Sequence, residues 1–535
     1  MDKISYASFA VCSNLKSVTI PNSVTKIEGS AFEECGNLMS INIPESVKEI
    51  GGWAFSYCDT LSTLVLPDSL TSIGIMAFAN CHNLKSINIP GSITRIEPAT
   101  FENCYSLDTI VLPSSVTEIG EFAFAVCGIT SINIPNSVTK IGSYAFEGCG
   151  RLNSIVIPES VTDLQEYAFY DCSYLETVTL PSSITSIEPY LFTYCENLKS
   201  INIPNSVTSI NEAAFALCTS LTSIDIPNSV TYIGTDAFYS CGLKSIIFPN
   251  SLMSIGVESF AGCYALESVT IPNSVKTING SAFLQCESLK SVAIPNSVTF
   301  IGPSAFEGCT SLTSVELPSS ASNIGAGAFN KCSNIAGNEF DNAIYLGDSV
   351  NPYFMLYKAT DTDITSCKIN ENTKLIHDYA FDDCDQLSSL ELPASISQIG
   401  NYAFRNCIGI KHIICKRENP IVFSNRTFDS DIFEIPVDVP AGSLKAYQNS
   451  NWKVFENLRE ATGINDETAS TVKVYATGNS IVVENADAEI SVFDAAGRLV
   501  ARNDVACHVS ITMQNAGIYI VKVGNVAKKV YADCD

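Results

Sequence analysis

Cysteine is the residue through which this chain could do chemistry. Its 535 residues include 21 cysteines but only four histidines, His82, His377, His412 and His508. Seventeen of the cysteines share one register, spaced by 23 residues and twice by 22: Cys12 to Cys127, Cys149 to Cys241, Cys263 to Cys332, then Cys384 and Cys407. Zinc would need clustered thiolates or imidazoles, and no C-x-x-C pair occurs, so no metal site is expected. Nucleophilic catalysis would need a base beside the thiol. His82 is the only histidine of the regular region, so no catalytic residue and no cofactor are expected. Disulfides are disfavoured because neighbours stacked about 4.8 Å apart offer nothing to tell one partner from another. The remaining reading is a buried spine of free thiols that fills space as a small hydrophobe. Cys367 and Cys415 lie off the register at positions matching inward apolar residues, which fits the same role.

Such a column must be held by coils of one size. A phenylalanine precedes each of the seventeen cysteines by three residues, and a Pro-x-Ser triplet returns fifteen times from Pro21 to Pro393. The unit reads LxSIxIPxSVTxIGxxAFxxC. In the coil from Leu15 to Cys35, Leu15, Val18 and Ile20 point inward from a short strand while Ser17 and Thr19 point outward. Pro21 lacks an N–H and ends the strand's ladder. Val24 and Ile27 form a second inward pair, and Ala31, Phe32 and Cys35 close the coil through an expected helical turn. A repeat of this length with L-x-x-I-x-I spacing carries the leucine-rich repeat signature. The expected fold is therefore an α/β solenoid of about 17 coils, each a short parallel strand plus a helical turn, and a coil is stable only when stacked on its neighbours.

Two residue columns then acquire roles. The serine of each Pro-x-Ser, among them Ser23, Ser46 and Ser206, and Asn372 in the one degenerate coil, can satisfy backbone groups where the coil turns. With Phe215 and Cys218 of the core they form the expected structural ladder. The outward strand pairs Ser131/Asn133, Thr177/Thr179, Ser200/Asn202 and Ser223/Asp225 form a flat hydrogen-bonding face, the candidate protein-binding surface. Aromatic platforms for carbohydrate are missing from these columns. A structural stalk and a carbohydrate-binding module stand as alternatives to a protein-binding role. The net charge of −26 argues against nucleic acid and anionic membrane surfaces. No stretch of 18 apolar residues occurs.

The array is not uniform. Regular repeats fill 1–332, and Met1 enters the pattern mid-coil, from which an incomplete reading frame is expected. An insertion at 333–363 carries Tyr345, Tyr353 and Phe354 around turn residues and reads as a hairpin, either a brace or an adhesive protrusion. Degenerate repeats and a cap with Trp452 and Phe455 span 364–462, a polar linker 463–470, and alternating strands over 471–535 suggest a small β-sandwich.

The repeated unit, with the Val439-Pro440-Ala441-Gly442-Ser443-Leu444 run of the cap, resembles the BspA-like leucine-rich repeat family of bacterial surface proteins. The resemblance implies a non-enzymatic cell-surface or secreted protein with adhesive partners, host or bacterial surface proteins such as fibronectin or fibrinogen. The tail, with Val492-Phe493-Asp494-Ala495-Ala496-Gly497 and Ala516-Gly517-Ile518-Tyr519, resembles the C-terminal sorting domain of type IX secretion in Bacteroidetes. It differs from that pattern at Val474–Thr477, where the usual opening is Tyr-Pro-Asn-Pro.

Overall fold

In a computed structural model, residues 2–461, 473–477, 479–484, 486, 488–503, 508–523 and 526–532 are described. The linker expected at 463–470 lies outside them. The chain divides into a unit of residues 1–386, 395–407 and 423–428 and a second of 387–394, 408–422 and 429–535.

Most regular coils of the first unit lay down two short strands. The first series, such as Ser17–Thr19 and Ser40–Asn42, pairs in parallel with Ser17 opposite Ser40. The second runs through the Val-x-x-Ile pair, with Lys3, Lys26, Glu49 and Ser72 in line. Where a coil loses a residue the register holds, Glu118 pairing with Lys140 across 22 positions. The deletions fall in turns, so neither strand shifts. Gly51, Gly74 and Gly302 follow the second strand because a Cβ there would approach the preceding coil's backbone within 2.5, 2.4 and 2.3 Å.

The third side of the coil corrects the expected helical turn. The described residues include a single α-helix, Leu444–Gln448 in the second unit. The Ser-Ala-Phe-x-x-Cys stretch is instead a run of turns in which the residues two before and two after the phenylalanine have left-handed φ, 54° at Ser30 and 57° at Glu34. That alternation aims every second N–H at the next coil. Ser30, Phe32 and Glu34 donate to the carbonyls of Gly52, Ala54 and Ser56 at 2.9, 2.8 and 2.8 Å. The architecture is a parallel-strand β-solenoid of about 20 coils of roughly 23 residues rather than an α/β one.

The core is columnar. From Phe9 to Phe329 successive phenylalanine rings stack with centroids 5.1–5.7 Å apart. Phe215 is fully buried between Phe192 and Phe238, at 5.6 and 5.3 Å. Leu, Ile and Val from both strands fill the space beside the rings.

The insertion is a three-stranded addition. Asn338–Phe340 and Ala343–Leu346 pair antiparallel, and Met355–Ala359 pairs antiparallel with the latter and parallel with Leu375–Ile376 of the solenoid. Its last strand therefore stands as a rung of the second sheet.

In the second unit Leu390–Leu392, Ile413–Cys415, Pro436–Val439 and Asn457–Glu460 form a parallel sheet. The cap thus adds rungs as well as cover. Trp452 and Tyr447 are buried, donating to the carbonyls of Ile421 and Arg417, each at 2.8 Å. Beyond the linker, two antiparallel sheets, one of three strands and one of four, share a core that includes Ile481, Val483, Ile490, Val492 and Val521.

Candidate protein-binding face

The period-2 rule places the outward columns as expected. Ser131, Asn133, Thr177, Thr179, Ser200, Asn202, Ser223 and Asp225 are all exposed, Thr177, Thr179 and Ser200 within first-series strands and the others at matching positions of their coils. Ser154, Thr177 and Ser200 follow one another in register, and Val156 lies opposite Thr179. These side chains cannot reach the core, because Ile155, Val178 and Ile201 between them are buried.

The face is less uniformly polar than the sequence reading held. Val65, Val111, Val156 and Ile247 occupy the outward column at 77, 81, 63 and 72% exposure. The alternation of the sequence itself marks these positions as outward. Asn88, between Val65 and Val111 on neighbouring coils, turns its amide onto the strand. It donates to the Leu66 carbonyl at 2.9 Å and accepts from the Leu66 N–H at 2.7 Å. One amide N–H and one lone pair are thereby engaged on the strand, and a shallow groove with two valine walls lies beside it.

The insertion's aromatics are placed differently from one another. Tyr345 and Phe354 are buried at 0 and 4% exposure, while Tyr353 is half-buried. As contacts for a partner, Tyr345 and Phe354 are withdrawn by this packing. Tyr353 packs edge-on against Tyr345 at 5.6 Å, and Phe340 lies edge-on to both.

The ladder residues are fixed by neighbouring coils. Ser46, Ser115 and Ser160 each donate to the carbonyl of the residue 22 positions earlier, Val24, Ile93 and Val138, at 2.6 Å. The ladder has interruptions. The hydroxyls of Ser206, Ser229, Ser274 and Ser297 are buried with no hydrogen-bond partner among the described residues. Ser23 is exposed in the first full coil. Asn372 is exposed too, and its backbone bonds instead, the N–H to Asn370 Oδ1 at 2.9 Å and the carbonyl to Asn351 Nδ2 at 3.0 Å. The insertion strand precedes this coil, so no carbonyl of a regular turn is at hand.

Cysteine has a more specific role than space filling. From Cys35 to Cys332 each thiol of the regular column donates to the carbonyl of the phenylalanine one coil back, as Cys58 does to Phe32 at 3.3 Å and Cys218 to Phe192 at 3.2 Å. Nothing in the spacing of the sequence distinguishes this donor from a plain hydrophobe. The 19 described cysteines are free thiols, buried except Cys12, whose exposure departs from the expected uniform spine. Burial pushes the Cys149, Cys367 and Cys415 thiols up to about 12, so they stay protonated thiols rather than nucleophiles. Among the described residues no group of three His, Cys, Asp or Glu is arranged to hold a metal ion.

The class of this solenoid, with its repeated exposed sheet and buried thiol column, is given by the match to a family model. The family model for the BspA type leucine-rich repeat region matches residues 2–129, 117–242, 208–336 and 356–468. The chain belongs to this family of leucine-rich repeat proteins. A leucine-rich repeat protein from Bacteroides ovatus is 30% identical over 77% of this chain and 92% of its own, with a TM-score of 0.49. A leucine rich cell surface protein from Faecalibacterium prausnitzii is 31% identical over 63% and 82%, with a TM-score of 0.36. No curated protein matches. Repeats of this class are generally non-enzymatic, generally serve protein–protein interaction or surface roles, and are commonly found on surfaces or secreted. Among the described residues no helix is long and apolar enough to cross a membrane.

Proposed function

We propose that this protein is an adhesin-like surface or secreted protein that binds proteins of a host matrix or of neighbouring cells through its first-strand face. The observation that carries this reading is the in-register exposure of Ser131, Asn133, Thr177, Thr179, Ser200, Asn202, Ser223 and Asp225. Each coil offers a similar small contact, so affinity accrues by engaging several coils together. The exposed Val65, Val111, Val156 and Ile247 add apolar anchors to an otherwise hydrogen-bonding surface, the mixture that protein interfaces use. The antiparallel tail, 471–535, is read as a type IX sorting domain, on its sequence resemblance.

The test is binding of the full chain to immobilised fibronectin and fibrinogen. Ser200→Arg with Asn202→Arg should weaken binding modestly, and the same pair repeated over four adjacent coils should abolish it with the circular dichroism spectrum unchanged. The control is Val350→Asp with Tyr353→Ser at the surface of the insertion. Loss of binding in that control alone would move the adhesive element to the insertion and refute the sheet.

A further inference from the structure

The turn side of the middle coils carries a second aromatic column, outside the core. Phe122, Tyr144, Tyr167 and Tyr190 stand two residues before the buried phenylalanines of four successive coils, and their rings stack at 4.6, 4.5 and 4.5 Å. All four are half-buried, with left-handed φ of 54–58°. Left-handed φ disfavours a bulky side chain, and the coils on either side place Ala99 and Ala213 there. Tyr170 leans on Tyr167 at 5.7 Å, and Tyr194, 38% exposed, meets Tyr170 edge-on at 5.5 Å. Six rings thus form one continuous surface patch where neighbouring coils fold with small residues.

Stacking limits what the patch can hold. Rings inclined to one another by 4–12° cover each other's faces, so Tyr144 and Tyr167 keep no free face on which a sugar could lie. The column offers ring edges, and three of its four rings carry hydroxyls. That of Tyr190 donates to Glu212 Oε1 at 2.5 Å. Burial, and after it the Glu166 carboxylate, pushes the Tyr167 hydroxyl up, so it stays a protonated donor.

The charge around the rings has one sign. The eight turn stretches from Glu97–Cys104 to Gly256–Cys263 hold ten acidic residues and no Lys, Arg or His. Burial, and after it repulsion from Glu102 and Asp171, holds the Glu147 carboxyl above the usual range, as a patch without counter-charge requires. Glu121, Glu166 and Glu212 are exposed, enter none of the described ion pairs and recur on every second coil, with Ser143 and Pro189 between them. Coils bond directly here, Tyr144 N–H to the Glu166 carbonyl at 3.3 Å and Tyr190 N–H to that of Glu212 at 2.8 Å. At about 4.8 Å per hydrogen-bonded coil the three carboxylates recur roughly every 9.6 Å. A polyproline II helix returns every third side chain to one face after about 9.3 Å, and its carbonyls are free to accept hydroxyl donors. Aromatic-lined surfaces are where such segments dock.

We propose that this stripe binds a cationic, proline-rich segment of another protein in the polyproline II conformation. Lys or Arg at every third residue pairs with Glu121, Glu166 and Glu212, and the segment's carbonyls accept from the tyrosine hydroxyls. The site lies on the turn side and is independent of the first-strand face. The experiment titrates the full chain at low salt, by fluorescence anisotropy, with a labelled peptide of five Pro-Pro-Lys repeats. It should bind with a dissociation constant of about 1–50 μM. A peptide of the same composition with its lysines contiguous should bind about tenfold more weakly. Glu121→Gln with Glu166→Gln and Glu212→Gln, all at exposed positions, should weaken binding about thirtyfold with the melting curve unchanged. Tyr144→Phe with Tyr167→Phe and Tyr190→Phe, which keeps the stack and removes the hydroxyls, should weaken it about fivefold. No binding at about 1 mM, equal affinity for the two peptides, or unchanged affinity in either triple variant would each overturn the proposal.

Discussion

The regular array and the break at residues 333–384 solve the same problem with different groups. In the array the carbonyl of each phenylalanine receives the thiol of the next coil, as Phe215 receives Cys241 at 2.9 Å. At the break no such cysteine follows Phe329. Tyr357 takes over, its hydroxyl lying 3.2 Å from the Phe329 carbonyl and 2.9 Å from that of Cys332. On the far side Cys384 has lost its phenylalanine acceptor and lies 3.9 Å from the Asp361 carbonyl. The column resumes only at Cys407, 3.0 Å from the Phe381 carbonyl. A coil is therefore complete only with the next one in place, and an insertion survives where it returns the missing donor.

The comparison can be broken most severely from the array side. Phe215→Ala should cost about 3–5 kcal/mol by opening a cavity in the stacked column. Because coils contact their neighbours, calorimetry should show the melting transition split, and one unaltered cooperative transition would count against stacking.

The break should be the acid-sensitive part. His377 has its pKa lowered to about 4 from 6.5, so the unfolded chain binds the proton more readily. Stability is then full above about pH 6.5 and lost as pH falls toward 4, by roughly 3 kcal/mol in total. Urea titrations across this range should show the loss, and His377→Phe should flatten it. The raised carboxyl of Asp378, also a consequence of burial, acts in the opposite sense at the acid end.

Smaller effects separate the two donors. Tyr357→Phe removes the hydroxyl from two carbonyls that keep the N–H groups of Cys332 and Ile335 and should cost about 1–1.5 kcal/mol, whereas Cys218→Val, which keeps volume and removes one weak donor, should cost about 0.5 kcal/mol or less. Equal losses in denaturant titrations would remove the distinction drawn between them.

How much of this the sequence disclosed depends on what a residue type reveals alone. The register, both inward pairs and the outward face were readable because period-2 alternation and the 23-residue return are properties of spacing. The expected helical turn failed for a local reason. Left-handed φ is adopted there by Tyr144, Tyr167 and Glu258, residues that carry no glycine-like signal, and Ala-Phe-x-x-Cys has helical spacing. The thiol donors were hidden because a buried cysteine and a small hydrophobe look alike in a column. His377 was hidden because its setting depends on the strand Met355–Ala359, which pairs across the break rather than along the repeat.

The claim that each coil is closed by its neighbour is tested most directly by thiol alkylation read residue by residue with mass spectrometry over a urea series. Cys12 should react at once, Cys218 and the other array thiols only as their coils unfold, and Cys384 at lower urea than Cys218. Disulfides between neighbouring coils, or array thiols that react as fast as Cys12 in the native protein, would contradict the account.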